Sequence, residues 1–324
     1  MGICGAGAQE IADATPPRYA RFMRIFLAAP ALALAACTPA PSPAPPSAEA
    51  AALMTWGDLT ARPRPKADAT IAYGAGEYQK VDVWLPRTPA PHKTVLMVHG
   101  GCWTTGIADR TLMDWAAADL RDAGYAVWNI DYRGIDVGGG YPGTFADAGA
   151  AADALRVHAE RFGLDTRKVV AVGHSAGGHL ALWLAARSKL PADSRLRTAD
   201  PLPIAHVVSL GGLPDLERTA NTPDNGCGVK VVADLVKGAN PVDRYRDTSV
   251  ARLLPVGVPQ DHVAGVQDRI IPIDLKTDFV AKAKAAGDDA TLHRVDRTGH
   301  VELVSPDTAA WDKSRELIAK AFAE

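Results

Sequence analysis

The sequence has few aromatic residues, few cysteines and no excess of charge of either sign. Four cysteines in 324 residues are too few and too scattered for a fold built on disulfide bonds or for a cysteine-rich zinc site. Lysine and arginine total 35 and aspartate and glutamate 37, a formal net charge of −2, so the basic excess typical of nucleic-acid-binding proteins is missing. With 47% hydrophobic and 22% charged residues, the composition excludes a polytopic membrane protein and is that of a large globular domain.

The first 50 residues differ in composition from the rest of the chain. Arg18, Arg21 and Arg24 precede an apolar run at residues 25–36, which is too short to span a bilayer and is typical of a signal-peptide core. The run ends in Leu-Ala-Ala followed by Cys37, which resembles the lipobox of bacterial lipoproteins. In that family the cysteine is lipidated and becomes the new N terminus.

We therefore predict a signal peptide at residues 1–36 and, at residues 37–67, a lipidated Cys37 followed by a proline- and alanine-rich tether. The expected location is the bacterial cell envelope or periplasm, with membrane attachment through a lipid anchor rather than a spanning helix. An ordinary cleaved signal with an incidental cysteine is the alternative. Met23 is an alternative start, and a chain that begins there would lack Cys4.

From residue 68 onward, short β-rich runs alternate with longer runs of helical periodicity. This alternation predicts one α/β domain at residues 68–324, with a mostly parallel sheet covered by helices on both faces. Residues 215–254 interrupt the alternation with mixed polar, glycine and proline content, and we predict a lid-like insertion there. The predicted strands are 70–73, 79–85, 94–99, 125–132, 169–174, 204–210, 262–266 and 291–295, and the predicted helices are 112–123, 146–162, 177–187, 275–286 and 309–323.

The most informative motif is a Gly-x-Ser-x-Gly sequence centred on Ser175, with a buried strand before it and a buried helix after it. That context is what a nucleophile elbow requires. Gly173 and Gly177 would let the strand and the helix approach each other closely. The turn would raise the Ser175 hydroxyl above the carboxyl edge of the sheet, where ligands bind in such folds. It would also place the Ala176 amide at a helix start, where it faces an anionic oxygen.

A second glycine-containing segment, residues 99–103, follows the predicted central strand. Its sequence His-Gly-Gly-Cys-Trp resembles the His-Gly-Gly loop of lipases and esterases, whose backbone amides form an oxyanion hole. Two glycines that merely end a strand are the simpler structural interpretation. We interpret His99 as an anchor of this loop rather than as a catalytic base.

A serine hydroxyl becomes a good nucleophile when an imidazole accepts its proton and a carboxylate orients that imidazole. After a nucleophile elbow, these partners follow along the chain in the order Ser, Asp or Glu, His. Asp268 follows the strand at 262–266 and His300 follows the last strand, so both are predicted at strand tops in the required order. Other histidines and aspartates lie beside the serine, within strands or away from strand ends, and are weaker candidates: His174, His179, His206, His262, His293, Asp243, Asp274 and Asp296.

With these segments, the chain from about residue 70 to its end resembles the α/β-hydrolase superfamily. It is most similar there to the esterase/lipase-like group that includes kynurenine-formamidase-like enzymes, which share the His-Gly-Gly-x-Trp loop. Residues 131–133, 173–180, 268–272 and 299–300 match that group's pattern. The resemblance implies a catalytic triad of Ser175, Asp268 and His300. It also implies an oxyanion hole formed by the amides of Gly101, Cys102 and Ala176.

The predicted function is a serine hydrolase, most simply a carboxylic-ester hydrolase that forms an acyl-enzyme. An amide or formamide hydrolase or a peptidase with the same triad is the alternative, and a non-catalytic surface binding protein is a further one. No zinc spacing, P-loop or dinucleotide fingerprint is present in the sequence, so we expect a small-molecule ester or amide substrate and no cofactor or metal. The sequence leaves the oligomeric state open. Three residues that follow predicted strands are expected to line the substrate pocket: Trp103, Tyr141 and Leu213.

The last prediction concerns the cysteines. If Cys37 is lipidated and Cys4 is removed, the exported chain keeps only Cys102 and Cys227. An oxidising compartment favours their pairing. The loop at residues 99–103, called the oxyanion loop below, carries Cys102, and the insertion at residues 215–254 carries Cys227. Both are expected at the same edge of the sheet. A Cys102–Cys227 disulfide bond is the prediction, and two unpaired thiols are the alternative.

Overall fold

A computed structural model describes residues 52–324 of the chain. The predicted signal peptide, Cys37 and the first part of the predicted tether lie outside these residues. Among the residues described, no helix is long and apolar enough to cross a membrane.

Residues 52–324 form eight strands in one sheet, in the order β1-β2-β4-β3-β5-β6-β7-β8. Strands β1 and β2 pair antiparallel, as do β2 and β4, and all other neighbours are parallel. Each predicted strand is present, with bounds that shift by a few residues. The strands are β1 (Ala69–Ala72), β2 (Lys80–Trp84), β3 (His92–Val98), β4 (Ala126–Ile130), β5 (Leu164–His174), β6 (His206–Leu210), β7 (Gln260–Gly265) and β8 (Ala290–Val295).

Helices cover both faces of this sheet, as predicted for an α/β fold. One core contains α3, α4 and α7, and the other contains α2 and α8. Strand β5 serves both cores, because Val169 and Ala171 face one and Val170 and Val172 face the other. The helices are α1 (Trp56–Thr60), α2 (Asp114–Asp122), α3 (Gly143–Phe162), α4 (Ala176–Ala185), α5 (Leu216–Ala220), α6 (Val229–Leu235), α7 (Ile273–Ala285) and α8 (Ala309–Ala323).

The tether predicted for residues 37–67 is too long at its C-terminal end. Thr55 caps helix α1 through a reciprocal capping box with Asp58, and Leu59 is fully buried. The Met54 amide donates to the Glu302 carboxylate at 2.6 Å. Tertiary contacts therefore order a segment whose proline- and alanine-rich surroundings favour an extended chain.

The predicted insertion, residues 215–254, lies between β6 and β7 and contains α5, α6 and a short 3₁₀ turn, Val250–Arg252. The two short amphipathic helices were not predicted, because the composition of the segment is mixed and polar. Each helix buries two residues against the rest of the domain. The insertion follows the carboxyl end of β6, so it lies at the edge of the sheet that carries Ser175.

Candidate active site

Ser175 occupies a tight turn between the end of β5 and the start of α4. Its backbone has φ 54° and ψ −121°, a conformation that residues other than glycine rarely adopt. A Cβ atom on Gly173 would lie 2.1 Å from the Gly177 carbonyl oxygen, and one on Gly177 would lie 2.2 Å from the Val98 carbonyl oxygen. Both positions therefore require glycine. The Ser175 amide donates to the Leu210 carbonyl at 2.8 Å, which fixes the turn on the neighbouring strand β6.

Asp268 and His300 meet above the carboxyl ends of β7 and β8. The imidazole Nδ1 of His300 lies 2.8 Å from Asp268 Oδ2. The other carboxylate oxygen accepts the amides of Ile270 and Ile271, each at 2.9 Å. Nδ1 of His300 therefore carries the proton that is donated to Asp268, and Nε2 is left as the basic nitrogen.

Burial favours the neutral form of Asp268, but its hydrogen bonds and nearby positive charge outweigh this effect. The His300 imidazole contributes most to the opposing effect, followed by the Lys276 ammonium and the Ile271 amide, and together they lower the pKa of Asp268 to about 2. Asp268 is therefore ionised throughout the physiological pH range. It can orient His300 and stabilise the imidazolium without taking the proton itself.

Lys276 on α7 is a buried cation beside this carboxylate, and it was not predicted from the sequence. Its side chain is 1% exposed and its Nζ lies 3.9 Å from Asp268 Oδ2. The ammonium donates to the carbonyl oxygens of Ile271 at 2.7 Å and Pro272 at 3.3 Å. Burial lowers its pKa to about 8, although the carboxylates of Asp268 and Asp274 oppose the shift. Lys276 thus ties the loop that carries Asp268 to the first turn of α7.

The loop after β3 lies beside the serine, and its glycines are sterically required. A Cβ on Gly100 would lie 2.7 Å from His174 Nδ1 and 3.1 Å from Ser175 Cβ. Gly101 has φ 97°, and a Cβ there would lie 2.8 Å from Ala108 Cβ. Cys102 and Trp103 also have positive φ, each 52°. Three successive left-handed residues turn the backbone sharply at this point, which brings its amides close to the elbow.

The three amides assigned to the oxyanion hole are available for a ligand. Within residues 52–324, the amides of Gly101, Cys102 and Ala176 donate to no protein acceptor. Ala176 is the first residue of α4, so its N–H is one of the helix's unpaired donors. The geometry therefore offers backbone donors on two sides of Ser175.

His99 anchors the oxyanion loop, as the sequence analysis predicted. Its Nε2 lies 3.0 Å from Asp131 Oδ1, and its ring stacks on Tyr132 with centroids 4.2 Å apart. The Tyr132 hydroxyl donates to the His99 carbonyl at 3.0 Å, and Arg110 donates to the second Asp131 oxygen at 3.0 Å. These bonds hold His99 behind the loop and away from the serine.

His174 and His179 are both buried, and His174 is also in contact with the site. Its ring centroid is 4.4 Å from that of His300, and its Nε2 donates to the His300 carbonyl at 3.2 Å. Burial, together with the neighbouring His300, lowers the pKa of His174 well below its ordinary value. A neutral His174 supports the His300 ring without opposing the positive charge that His300 would acquire in catalysis.

Cys102 and Cys227 form a disulfide bond with a Cα–Cα distance of 5.3 Å. The preceding residue, Gly226, donates its amide to the Ile270 carbonyl at 2.6 Å. The insertion is therefore fastened both to the oxyanion loop and to the loop that carries Asp268. This is the pairing that the cysteine count predicted.

One cavity of about 310 Å³ joins Ser175, His300, Gly101 and Cys102. Its remaining walls are largely apolar, and neither an acidic side chain nor a lysine or arginine lines it. Among the described residues, no group of three His, Cys, Asp or Glu side chains is placed to hold a metal ion. The cavity is also lined by residues that were not predicted from the sequence: Trp56, Thr60, Ile107, Ala108, Leu112, Gly226 and Ile270.

None of the three predicted pocket residues lines the cavity that contains Ser175. Trp103 is fully buried and donates its indole N–H to His179 Nδ1 at 3.2 Å. Leu213 is fully buried in the core. Tyr141 lines a different cavity and donates its hydroxyl to Asp247 at 3.1 Å. Position after a strand end places a residue near the sheet edge, but loop packing decides which way its side chain points.

The mainly parallel sheet, the elbow and the loop positions of Ser175, Asp268 and His300 define an α/β hydrolase. The chain belongs to the BD-FAE family, a group of α/β-hydrolase-type esterases whose sequence profile matches residues 81–257. Esterase LipC of Mycobacterium tuberculosis is 28% identical over 226 residues, which cover 66% of this chain and 54% of LipC. The chain thus spans about half the length of that curated relative.

Solved structures show the same fold. Esterase B from Lactobacillus Rhamnosis superposes with a TM-score of 0.68 at 18% identity, over 83% of this chain and 92% of that chain. A truncated carbohydrate esterase from gut microbiota has a TM-score of 0.66 at 19% identity, over 81% of this chain and all of that chain. At these identities the likeness concerns the fold alone.

Proposed function

We propose that this protein is a serine hydrolase that cleaves carboxylic esters through an acyl-enzyme. The observation that carries the proposal is the shared cavity: Ser175 at a strained elbow, His300 bonded to Asp268, and the unpaired amides of the oxyanion loop converge on it. Family membership and the similarity to named esterases support ester cleavage as the reaction.

In this mechanism, Ser175 Oγ attacks the ester carbonyl carbon while its proton passes to His300 Nε2. The carbonyl oxygen becomes negatively charged and accepts hydrogen bonds from the amides of Gly101, Cys102 and Ala176, each of which contributes about 3 kcal/mol to lowering the barrier. Collapse of the tetrahedral intermediate breaks the bond to the alcohol oxygen, and His300 returns the proton to it. Water, activated by His300, then releases the acyl group from Ser175 and restores the hydroxyl.

The test is a panel of p-nitrophenyl esters, an aryl formamide and a proline anilide, assayed with the wild type, Ser175→Ala and His300→Ala. The proposal is supported if the wild type hydrolyses esters and both variants lose at least a thousandfold of that activity. Ser188→Ala and His158→Ala are matched controls outside the site and should keep wild-type rates. Residual activity within tenfold of wild type in Ser175→Ala would overturn the triad. Faster turnover of the formamide or the anilide than of any ester would identify an amide hydrolase that uses the same residues.

We also propose that the protein is exported and lipid-anchored, which rests on the arginines, the apolar run at 25–36 and Cys37 in the sequence. Expressed in a bacterium that processes lipoproteins, the wild type should partition with membranes and the Cys37→Ala variant should not. Equal partitioning of the two would end this proposal.

A further inference from the structure

The segment before β1 is part of the wall of the site. Glu302 accepts the Met54 amide on one carboxylate oxygen at 2.6 Å and the Gly299 amide on the other at 3.0 Å. Gly299 directly precedes His300 in the chain. Glu302 therefore fastens the N-terminal segment, residues 53–60, to the loop that carries the triad histidine.

This fastening places the Trp56 ring against two histidines of the site. The ring centroids of Trp56 and His300 are 6.5 Å apart, and those of Trp56 and His174 are 5.9 Å apart, both in edge-to-face arrangements. Trp56 is only partly buried, so the rest of its surface is open to a bound molecule. Edge-to-face packing of this kind holds a ring in one orientation.

Trp56 stands between two cavities. The first is the cavity that contains Ser175. The second, of about 330 Å³, lies on the other side of the same wall and contains neither Ser175 nor the oxyanion loop. Trp56, Ile270 and His300 line both cavities. These three residues therefore form a partition shared by the two cavities.

The roles proposed for Ser175 and His300 determine which part of an ester lies in each cavity. The acyl carbon must lie beside Ser175 and the oxyanion amides, so the acyl group occupies the first cavity, whose other walls are Ile107, Ala108 and Leu112. The alcohol oxygen receives its proton from His300, so the alcohol part extends past His300 toward the second cavity.

Among the residues that line the second cavity, one carries a full charge: Arg269, whose side chain is exposed. Arg269 and Gln267 line this cavity, and within residues 52–324 Arg269 forms neither an ion pair nor a hydrogen bond to another side chain. Two carboxylates are nearby, but each already accepts two or more hydrogen bonds: Glu302 from two amides and Asp268 from two amides and His300. The unpaired guanidinium suits a carboxylate on the ligand, which it can bind through two parallel hydrogen bonds.

We propose that Trp56 divides a two-part substrate site, in which the first cavity takes an uncharged acyl group and the second takes the alcohol or phenol, held through a carboxylate by Arg269. This inference rests on the proposed esterase function. It identifies Trp56 and Arg269 as specificity-determining residues that take no part in bond breaking.

Two matched substrates test the assignment: 4-acetoxybenzoate, which carries a carboxylate on the leaving phenol, and 4-acetoxybenzamide, which carries an uncharged amide at the same position. The measured quantity is the ratio of their kcat/KM values at low ionic strength. Arg269→Gln should lower this ratio about tenfold, and added salt should lower it in the wild type. The control, Arg294→Gln, removes an exposed arginine of β8 with the same change in charge and should leave the ratio within twofold of wild type. An unchanged ratio in Arg269→Gln would overturn the carboxylate subsite.

Trp56 is tested by Trp56→Ala and Trp56→Leu, with near-ultraviolet circular dichroism to check the fold. Both variants should raise KM for both esters, and alanine should raise it more because it removes more of the partition. A folded variant with wild-type KM values for both would overturn the role of Trp56. If the wild-type protein hydrolyses neither ester nor any p-nitrophenyl ester, the proposed function itself fails, and that result is distinct from an unchanged ratio in a working enzyme.

Discussion

Removal of the Cys102–Cys227 disulfide bond should cost both stability and rate. The bond closes a loop of 125 residues, for which the chain-entropy relation gives about 5 kcal/mol of stabilisation as an upper figure, because part of that value is commonly offset in real proteins. The perturbation is the double variant Cys102→Ala/Cys227→Ala. Urea unfolding followed by tryptophan fluorescence should show a free energy of unfolding that is lower by about 2–5 kcal/mol than that of the oxidised wild type.

The effect on rate follows from the position of the bond. It joins the oxyanion loop to the insertion at Cys227, and the preceding residue, Gly226, donates its amide to the Ile270 carbonyl. A loosened Cys102 amide would lose part of the roughly 3 kcal/mol that one oxyanion donor supplies, so kcat should fall about tenfold to a hundredfold, with a smaller change in KM. Dithiothreitol should reproduce both effects in the wild type and change nothing in the double variant. Wild-type unfolding and wild-type kcat in the double variant would refute this reasoning.

Three further predictions concern single groups. Asp268→Asn should lower kcat by less than His300→Ala does, because it disturbs the orientation and tautomer of His300 without removing the base; equal losses in the two variants would contradict that role. The value of kcat/KM should rise with pH, because His300 must be neutral to accept the serine proton, and a flat kcat/KM profile from pH 5 to 9 would contradict His300 as the base. Burial lowers the pKa values of His179 and His262 to about 4. From about pH 6.5 down to 4, the unfolded chain therefore takes up protons that the folded chain does not. The free energy of unfolding falls with falling pH as a result, by about 2 kcal/mol per histidine at pH 5. His262→Gln, which lies outside the site, should show a shallower fall in urea unfolding between pH 7.5 and 5 than the wild type, and an equal slope would show that His262 does not contribute.

The sheet was predictable because its signals are local. The run at β3 and the apolar strand before Ser175 are continuous enough to indicate buried parallel strands. The positions of Ser175, Asp268 and His300 followed from the requirement that catalytic groups in this fold lie at strand tops in a set chain order. The structure brings Asp268 and His300 within 2.8 Å of each other, although 31 residues lie between them along the chain.

The walls of the site were not predictable, because they depend on contacts between distant segments. Trp56 lies in a stretch that resembles a tether, and only the capping pattern of Thr55 and Asp58 signalled a helix there. Lys276 has the spacing of an ordinary surface lysine on a helix, and its burial depends on the loop from Asp268 to Pro272 folding over it. The position of Trp103 after a strand end did not indicate where its side chain points, because the loop that carries it has positive φ values that direct the side chain into the core.

Covalent labelling shows directly whether Ser175 is the nucleophile. The wild type would be treated with a fluorophosphonate, digested and analysed by mass spectrometry, alongside Ser175→Ala and the control Ser188→Ala. We expect one adduct per chain, on Ser175, with loss of esterase activity in step with labelling, no adduct in Ser175→Ala and full labelling in Ser188→Ala. An adduct on another residue, or full esterase activity in a chain that takes up no label, would show that Ser175 is not the nucleophile.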